Sequence, residues 1–138
     1  MNTIGVAAIV LKYRLPGSMT GSREGFAEAR AAAKVAIEDG ELAMQLARRH
    51  AAEWNVKPDG IGLMGFSAGG HLAAMVGMTA STAVRPNFLV LVYPALPREL
   101  QVPAELHVYS GGGHGFGMKK SGKTSEHWPQ ALAAWLAQ

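Results

Sequence analysis

The chain has 138 residues, of which 49 % are apolar and 17 % charged, so it holds one domain with a buried core and is neither a disordered chain nor a pair of domains. Its net charge of +3 comes from scattered basic residues, with only the short pairs Arg48-Arg49 and Lys119-Lys120, which argues against a nucleic-acid-binding stripe. The absence of cysteine excludes disulfides, thiolate metal sites and cysteine nucleophiles.

In chain order, Gly5 to Leu11 is an apolar run with β-branched members. It is expected to form a strand buried on both faces, as in a parallel sheet. It is too short for a membrane span and lacks the flanks of a signal peptide, which makes the cytoplasm the expected location and leaves no membrane partner. Pro16 to Gly25 reads as a loop. Phe26 to Ile37 is alanine-rich and helical in character. Gly40 is expected to interrupt that helix, with Asp39 as N-cap of a second helical stretch. In that stretch Leu42, Leu46 and Trp54 share a face with Ala43 and Ala47.

Pro58-Asp59-Gly60 turns into a second strand, Ile61 to Met64. A helix follows from Ala68 to about Thr79. Arg85-Pro86-Asn87 is a turn and Phe88 to Tyr93 a third buried strand. Pro94 to Pro103 carries three prolines and reads as a loop. Glu105 to Tyr109 alternates, which suits a fourth strand with one wet face. Five glycines surround His114 between Ser110 and Gly117. Pro129 sits in the first turn of a last helix, whose apolar stripe is Leu132, Trp135 and Leu136. The order β-α-β-α-β-loop-β-α gives an α/β fold of three layers: a small, mostly parallel sheet of about four strands flanked by helices, as a single domain over residues 1–138.

The segment Gly65-Phe66-Ser67-Ala68-Gly69-Gly70 carries the chemistry. A Gly-x-Ser-x-Gly motif between an apolar strand and a helix puts the serine at the tip of a strained elbow. Gly65 and Gly69 allow the close backbone approach that such a turn needs. The serine then lies at a helix N-terminus, where free N–H groups and the positive dipole end favour an oxyanion. The overlapping Gly60-Ile61-Gly62-Leu63-Met64-Gly65 matches a dinucleotide fingerprint only in letters. It is the strand rather than the turn after one, and no suitable acidic residue follows about twenty positions on.

His114 in its glycine-rich loop projects from the C-terminal edge of the sheet, the edge that carries the elbow. It is positioned to take the serine proton and return it to a leaving alcohol. No Lys-Ser/Thr pair follows the loop in the register of a phosphate-binding P-loop. His71 lies one helical turn after Ser67 and is expected to pack under the elbow. His50, His107 and His127 have no metal-ligand spacing to another histidine or a carboxylate, so neither a metal nor another cofactor is expected.

These segments, with Tyr13-Arg14-Leu15-Pro16, Arg49-His50-Ala51-Ala52-Glu53-Trp54 and Ala104 to Tyr109, resemble the α/β-hydrolases, and among them the acetyl xylan esterase and dienelactone-hydrolase-like serine esterases. The resemblance runs through nearly the whole chain and is most specific at the elbow. It implies a serine esterase acting on short-chain or acetyl esters, with Ser67 matching the family nucleophile, His114 the family base and the Ala68 N–H one oxyanion donor. The alternative is a non-catalytic, degenerate hydrolase kept as an interaction or oligomerisation module.

Two parts of the family pattern are missing. The strands and glycine-rich loop that carry a second oxyanion donor would precede Gly5. The strand that precedes the triad acid would fall between Tyr93 and Glu105, where eleven residues stand and a parallel crossover takes about a dozen or more. The chain therefore resembles a hydrolase truncated at its N-terminus and shortened internally. Glu99 follows the third strand on the catalytic side and is the carboxylate available for the acid. So small a sheet leaves edges and helix faces uncovered, which points to a homodimer or higher oligomer.

Overall fold

The computed structural model describes residues 5–15, 23–94, 105, 107 and 109–138. The described elements are α1 (Arg23–Arg49), β1 (Leu63–Phe66), α2 (Ala68–Thr79), β2 (Leu89–Val92) and α3 (Trp128–Leu136), the last entered through a 3-10 turn at Thr124–His127. β1 and β2 are parallel, with Leu63 opposite Leu89 and Phe66 opposite Val92. The ladder extends at both ends: Asn87 N–H donates to Ile61 C=O at 2.8 Å, and Ser67 N–H to Val92 C=O at 3.0 Å. α2 connects the two strands and packs on both, and α1 packs on α2.

Glycines set the spacing between these layers. A Cβ on Gly77 would stand 2.7 Å from Leu89 Cδ1, so α2 lies close over β2. A Cβ on Gly40 would stand 2.7 Å from Val76 Cγ2, so α1 lies close over α2. Gly40 therefore does not divide the helix. α1 runs through it for 27 residues, because packing against the fully buried Val76 outweighs the ~1 kcal/mol that an interior glycine costs. The buried face of α1 is accordingly a line of small residues and one methionine, Ala36, Gly40 and Met44. Leu42 and Leu46, expected to face the core, are exposed. Trp54 lies beyond the helix, in a turn where it stacks on His50 at 5.2 Å.

Asp39 is not an N-cap, since the helix continues through it. It receives the Arg14 backbone N–H at 2.9 Å and the Arg14 Nη2 at 2.6 Å, which fastens the N-terminal segment across α1. The Arg14 side-chain hydrogen bonds, and then its backbone N–H, hold the Asp39 carboxyl below the usual carboxylate range.

The sheet has two strands among the described residues, where about four were expected. Gly5 to Leu11 forms no strand, and Val10 is 94 % exposed. A β-branched apolar run becomes a strand only when a neighbouring backbone offers it a ladder, and among the described residues the one ladder is that between β1 and β2, in which Gly5 to Leu11 takes no part. In the segment expected as a fourth strand, residues 105, 107 and 109 belong to no strand. His107 instead pairs with Glu105 and stacks on Tyr109 at 6.4 Å. Of the two expected loops, Arg23 to Gly25 belong to α1, while residues 16–22 and 95–103 lie outside the described residues. The helix from Ala68 to Thr79 and the last helix with Pro129 in its first turn stand where expected. Among the described residues no helix is long and apolar enough to cross a membrane.

Gly40→Ala tests the helix contact. Helix propensity alone would add up to about 1 kcal/mol of stability, but an over-packed core costs about 1–3 kcal/mol. Because the β-branched Val76 is stiff at χ1, strain is expected to win: urea unfolding of Gly40→Ala should show net destabilisation, and the same substitution should cost less in a Val76→Ala background. Asp39→Asn tests the tether. A depressed carboxylate pKa stabilises the fold fully above the ordinary value, about 3.9, and that contribution is lost as pH falls through the lowered value. Thermal melts between pH 7 and pH 2 therefore show a smaller acid-induced loss in Asp39→Asn than in the wild type.

Candidate active site

β1 ends at Phe66 and α2 begins at Ala68, so a single residue makes the turn. Ser67 does so with φ 50° and ψ −117°, in the left-handed half of backbone space. Such a conformation costs a non-glycine residue about 1–3 kcal/mol and persists only when its surroundings impose it. Here both ends are held: Ser67 N–H donates to Val92 C=O at 3.0 Å and Ser67 C=O accepts from His71 N–H at 3.0 Å. A Cβ on Gly65 would land on the Gly69 carbonyl group, and one on Gly70 would stand 3.0 Å from the Gly65 carbonyl oxygen. The crossing of strand and helix therefore requires glycine at Gly65 and is tight at Gly70, whereas Gly69, expected to share this role, has room: a Cβ there would meet only Tyr13 Oη at 4.0 Å.

The Ser67 hydroxyl does not cap α2. It stands 2.9 Å from His114 Nε2, across 47 residues of sequence. With the proton of the neutral imidazole on Nδ1, the hydroxyl donates to Nε2, which is the arrangement a general base requires. Ala68 is the first residue of α2, and the N–H groups of a first helical turn have no partner within the helix. They stand beside the serine, where negative charge would develop on an attacked carbonyl.

The His114 loop is held in a conformation only glycines supply. Gly112, Gly113, Gly115 and Gly117 have φ of 148°, 74°, 77° and 52°. A Cβ on Gly112 would collide with the buried side chain of Ser125. The loop ends in two hydrogen bonds at one residue: Gly117 N–H donates to Tyr93 Oη at 3.1 Å, and Trp128 Nε1–H donates to Gly117 C=O at 2.9 Å. Tyr93 also packs its ring 4.9 Å from His114 and 4.8 Å from Phe116. Phe66, the residue before the serine, meets Trp128 edge-on at 5.6 Å. Aromatic contacts thus join the elbow strand, the end of β2, the histidine loop and the start of α3. Just beyond, Glu126 accepts from Ser121 N–H at 2.8 Å and Gly122 N–H at 2.7 Å, bonds that keep its carboxyl ionised to lower pH than usual.

Of the residues singled out in the sequence, Ser67, His114 and Ala68 are brought together, and Glu99 lies outside the described residues. His71 stands in the first turns of α2, His50 binds Glu53 at 2.7 Å, and His127 ends the 3-10 turn. Among the described residues no group of histidine and carboxylate side chains could hold a metal ion. Sequence reasoning missed Tyr93 and Trp128. The signal available was a tyrosine closing a buried strand, directly before a proline. A cleft of about 370 Å³ lies beside the loop, lined among others by Gly117, Lys119, Glu126 and Trp128. It includes neither Ser67 nor His114.

Comparison with known proteins gives the family. Residues 23–114 match the BD-FAE family, a segment that contains both Ser67 and His114. The chain belongs to this family of α/β-hydrolase-type esterases. It is 35 % identical over 102 residues, 74 % of its own length, to an acetylxylan esterase from Xylanibacter ruminicola. It spans 18 % of that relative's length. No solved structure matches the chain.

Gly65→Ala tests the elbow. The added methyl has only backbone to meet, so strand and helix must separate. The variant is expected to lose at least about 3 kcal/mol, the upper range for overpacking, read as a lowered midpoint in urea unfolding, and with it the contact between Ser67 and His114, read as a shift of the His114 ring signals in NMR.

Proposed function

We propose that the chain is a serine carboxylesterase that hydrolyses short-chain or acetyl esters without a cofactor. The observation that carries the reading is the 2.9 Å contact between Ser67 Oγ and His114 Nε2 at a strained strand-to-helix turn. A serine forced to φ 50° that spends its hydroxyl on a histidine rather than on capping its own helix has an expensive conformation and no structural return for it. Membership of an esterase family and the acetylxylan esterase relative support an ester of a small acyl group as substrate.

In the proposed reaction, His114 Nε2 takes the Ser67 proton as Oγ attacks the ester carbonyl. The Ala68 N–H, at the positive end of α2, binds the oxyanion that forms. The imidazolium then protonates the leaving alcohol, leaving the acyl group on Ser67. Water, deprotonated by the same histidine, releases the acid and restores the serine. Glu99 is the carboxylate proposed to hold His114 in the tautomer with its proton on Nδ1.

Hydrolysis of 4-nitrophenyl acetate tests the reading. Ser67→Ala is expected to fall to the buffer rate, and His114→Ala to lose about 10²–10⁴-fold in kcat, the worth of a general base. Wild-type rates in both variants would refute nucleophilic catalysis. Failure of the folded wild type to react at Ser67 with a fluorophosphonate would favour the non-catalytic interaction module instead.

A further inference from the structure

Among the described residues, Gly112 to Gly117 make no hydrogen bond with one another that would hold the imidazole. Four of the residues from Gly112 to Gly117 are glycines at positive φ, the residue type that loses most conformational freedom on ordering. Proton transfer to Nε2 nevertheless requires the ring to stay within about 0.5 Å of its place. One side chain outside the loop touches it at three points. Tyr93 lays its ring against His114 at 4.9 Å with the planes tilted by 60°, and meets Phe116 edge-on at 4.8 Å. Its hydroxyl accepts the Gly117 N–H at 3.1 Å. Tyr93 is itself held by its place at the end of β2 and by Phe66, at 5.9 Å.

Tyr93 also has φ 40°, one of three positive values among the described non-glycine residues, with Ser67 and Asn55. The residue after β2 is thus left-handed and lies beside the left-handed residue after β1, since Ser67 N–H is bonded to Val92 C=O. A tyrosine in that conformation is strained, and strain of this kind is kept where neighbours impose it. Its three contacts with the loop are what the turn secures.

We infer that Tyr93 is a positioning residue that holds the His114 imidazole against Ser67. Its ring bears on the imidazole, and its hydroxyl anchors the loop at Gly117, which Trp128 grips from the carbonyl side. The inference rests on the esterase reading, and it adds the element that makes a glycine-rich loop precise enough for proton transfer.

Two substitutions separate the two contacts. Tyr93→Phe keeps the ring against His114 and removes the acceptor of the Gly117 N–H. Tyr93→Leu removes both. With 4-nitrophenyl acetate, Tyr93→Phe is expected to lower kcat about fivefold, the worth of one hydrogen bond. Tyr93→Leu is expected to lower it by about 10²-fold, the cost of a group displaced by about 1 Å. In a His114→Ala background Tyr93→Phe should cause no further loss, because its effect passes through the histidine. A second readout is independent of turnover: histidine-ring NMR signals of the Ser67→Ala protein show one sharp set for His114, and Tyr93→Leu broadens or multiplies it. Tyr93 variants with wild-type kcat and an unchanged His114 signal would overturn the inference while leaving the esterase reading intact. The same fivefold loss in the His114→Ala background would also overturn it, assigning Tyr93 to the fold alone. Wild-type turnover in Ser67→Ala would instead overturn the esterase reading, with the NMR comparison still deciding the role of Tyr93.

Discussion

A strand that passes into a helix through a single residue leaves almost no room between the two backbones, and the architecture around the site follows from that constraint. Gly65 has the Gly69 carbonyl group where a side chain would begin, and a Cβ on Gly70 would press on the Gly65 carbonyl oxygen at 3.0 Å. The residue at the turn is driven to φ 50° and would relax if either neighbour could move. Neither can: β1 is laddered to β2 and α2 is packed on both strands and on α1. The packing glycines Gly40 and Gly77 belong to the same economy of space. They let α1 and β2 come close enough to fix α2 from both sides, so that the strain at Ser67 is carried by burial elsewhere.

The second half of the site is built by a different principle. The loop that carries His114 relies on glycine for its shape and on aromatic side chains for its rigidity. Phe66, Tyr93, Phe116 and Trp128 form a connected set of edge-on and tilted contacts between 4.8 and 5.9 Å. These rings bury large areas and add directional preference, while the Tyr93 hydroxyl and the Trp128 indole supply the hydrogen bonds that tie Gly117. Backbone strain orients the serine and side-chain packing orients the histidine. The two meet because Phe66, the last residue of β1, and Tyr93, the first after β2, stand at the same end of adjacent parallel strands.

The parts legible in the sequence were those in which a local pattern and its tertiary role coincide. The elbow motif, the helix behind it, the strand before Tyr93 and the proline-led last helix each combine a local signal with burial. Where the two diverge, the sequence misleads. Gly5 to Leu11 has the composition of a buried strand, but composition does not supply a neighbouring strand, and Ile9 and Val10 are exposed. Gly40 looks like a helix break because a glycine that ends a helix and one that lets two helices touch are the same letter. Leu42 and Leu46 look like core because large apolar residues at helical spacing mark a stripe, whereas the described part of α1 is buried at Ala36, Gly40 and Met44. The pairing of Ser67 with His114 is met at 2.9 Å although the strand expected to lead into the histidine loop is not formed at residues 105, 107 and 109: chain order pointed to the pair, and the route through a fourth strand did not. Tyr93 was invisible as a site residue because its role lies in contacts with residues 21 to 24 positions away.

The account stands on Ser67 being a nucleophile that His114 activates. Rapid mixing with an isotopically labelled acetyl ester, acid quenching and peptide mapping by mass spectrometry reads this directly. The account predicts an acetyl group on the peptide containing Ser67, at the serine itself, accumulating far more slowly in His114→Ala. Turnover of the ester with the label absent from Ser67, or accumulation at the same rate without His114, would contradict it.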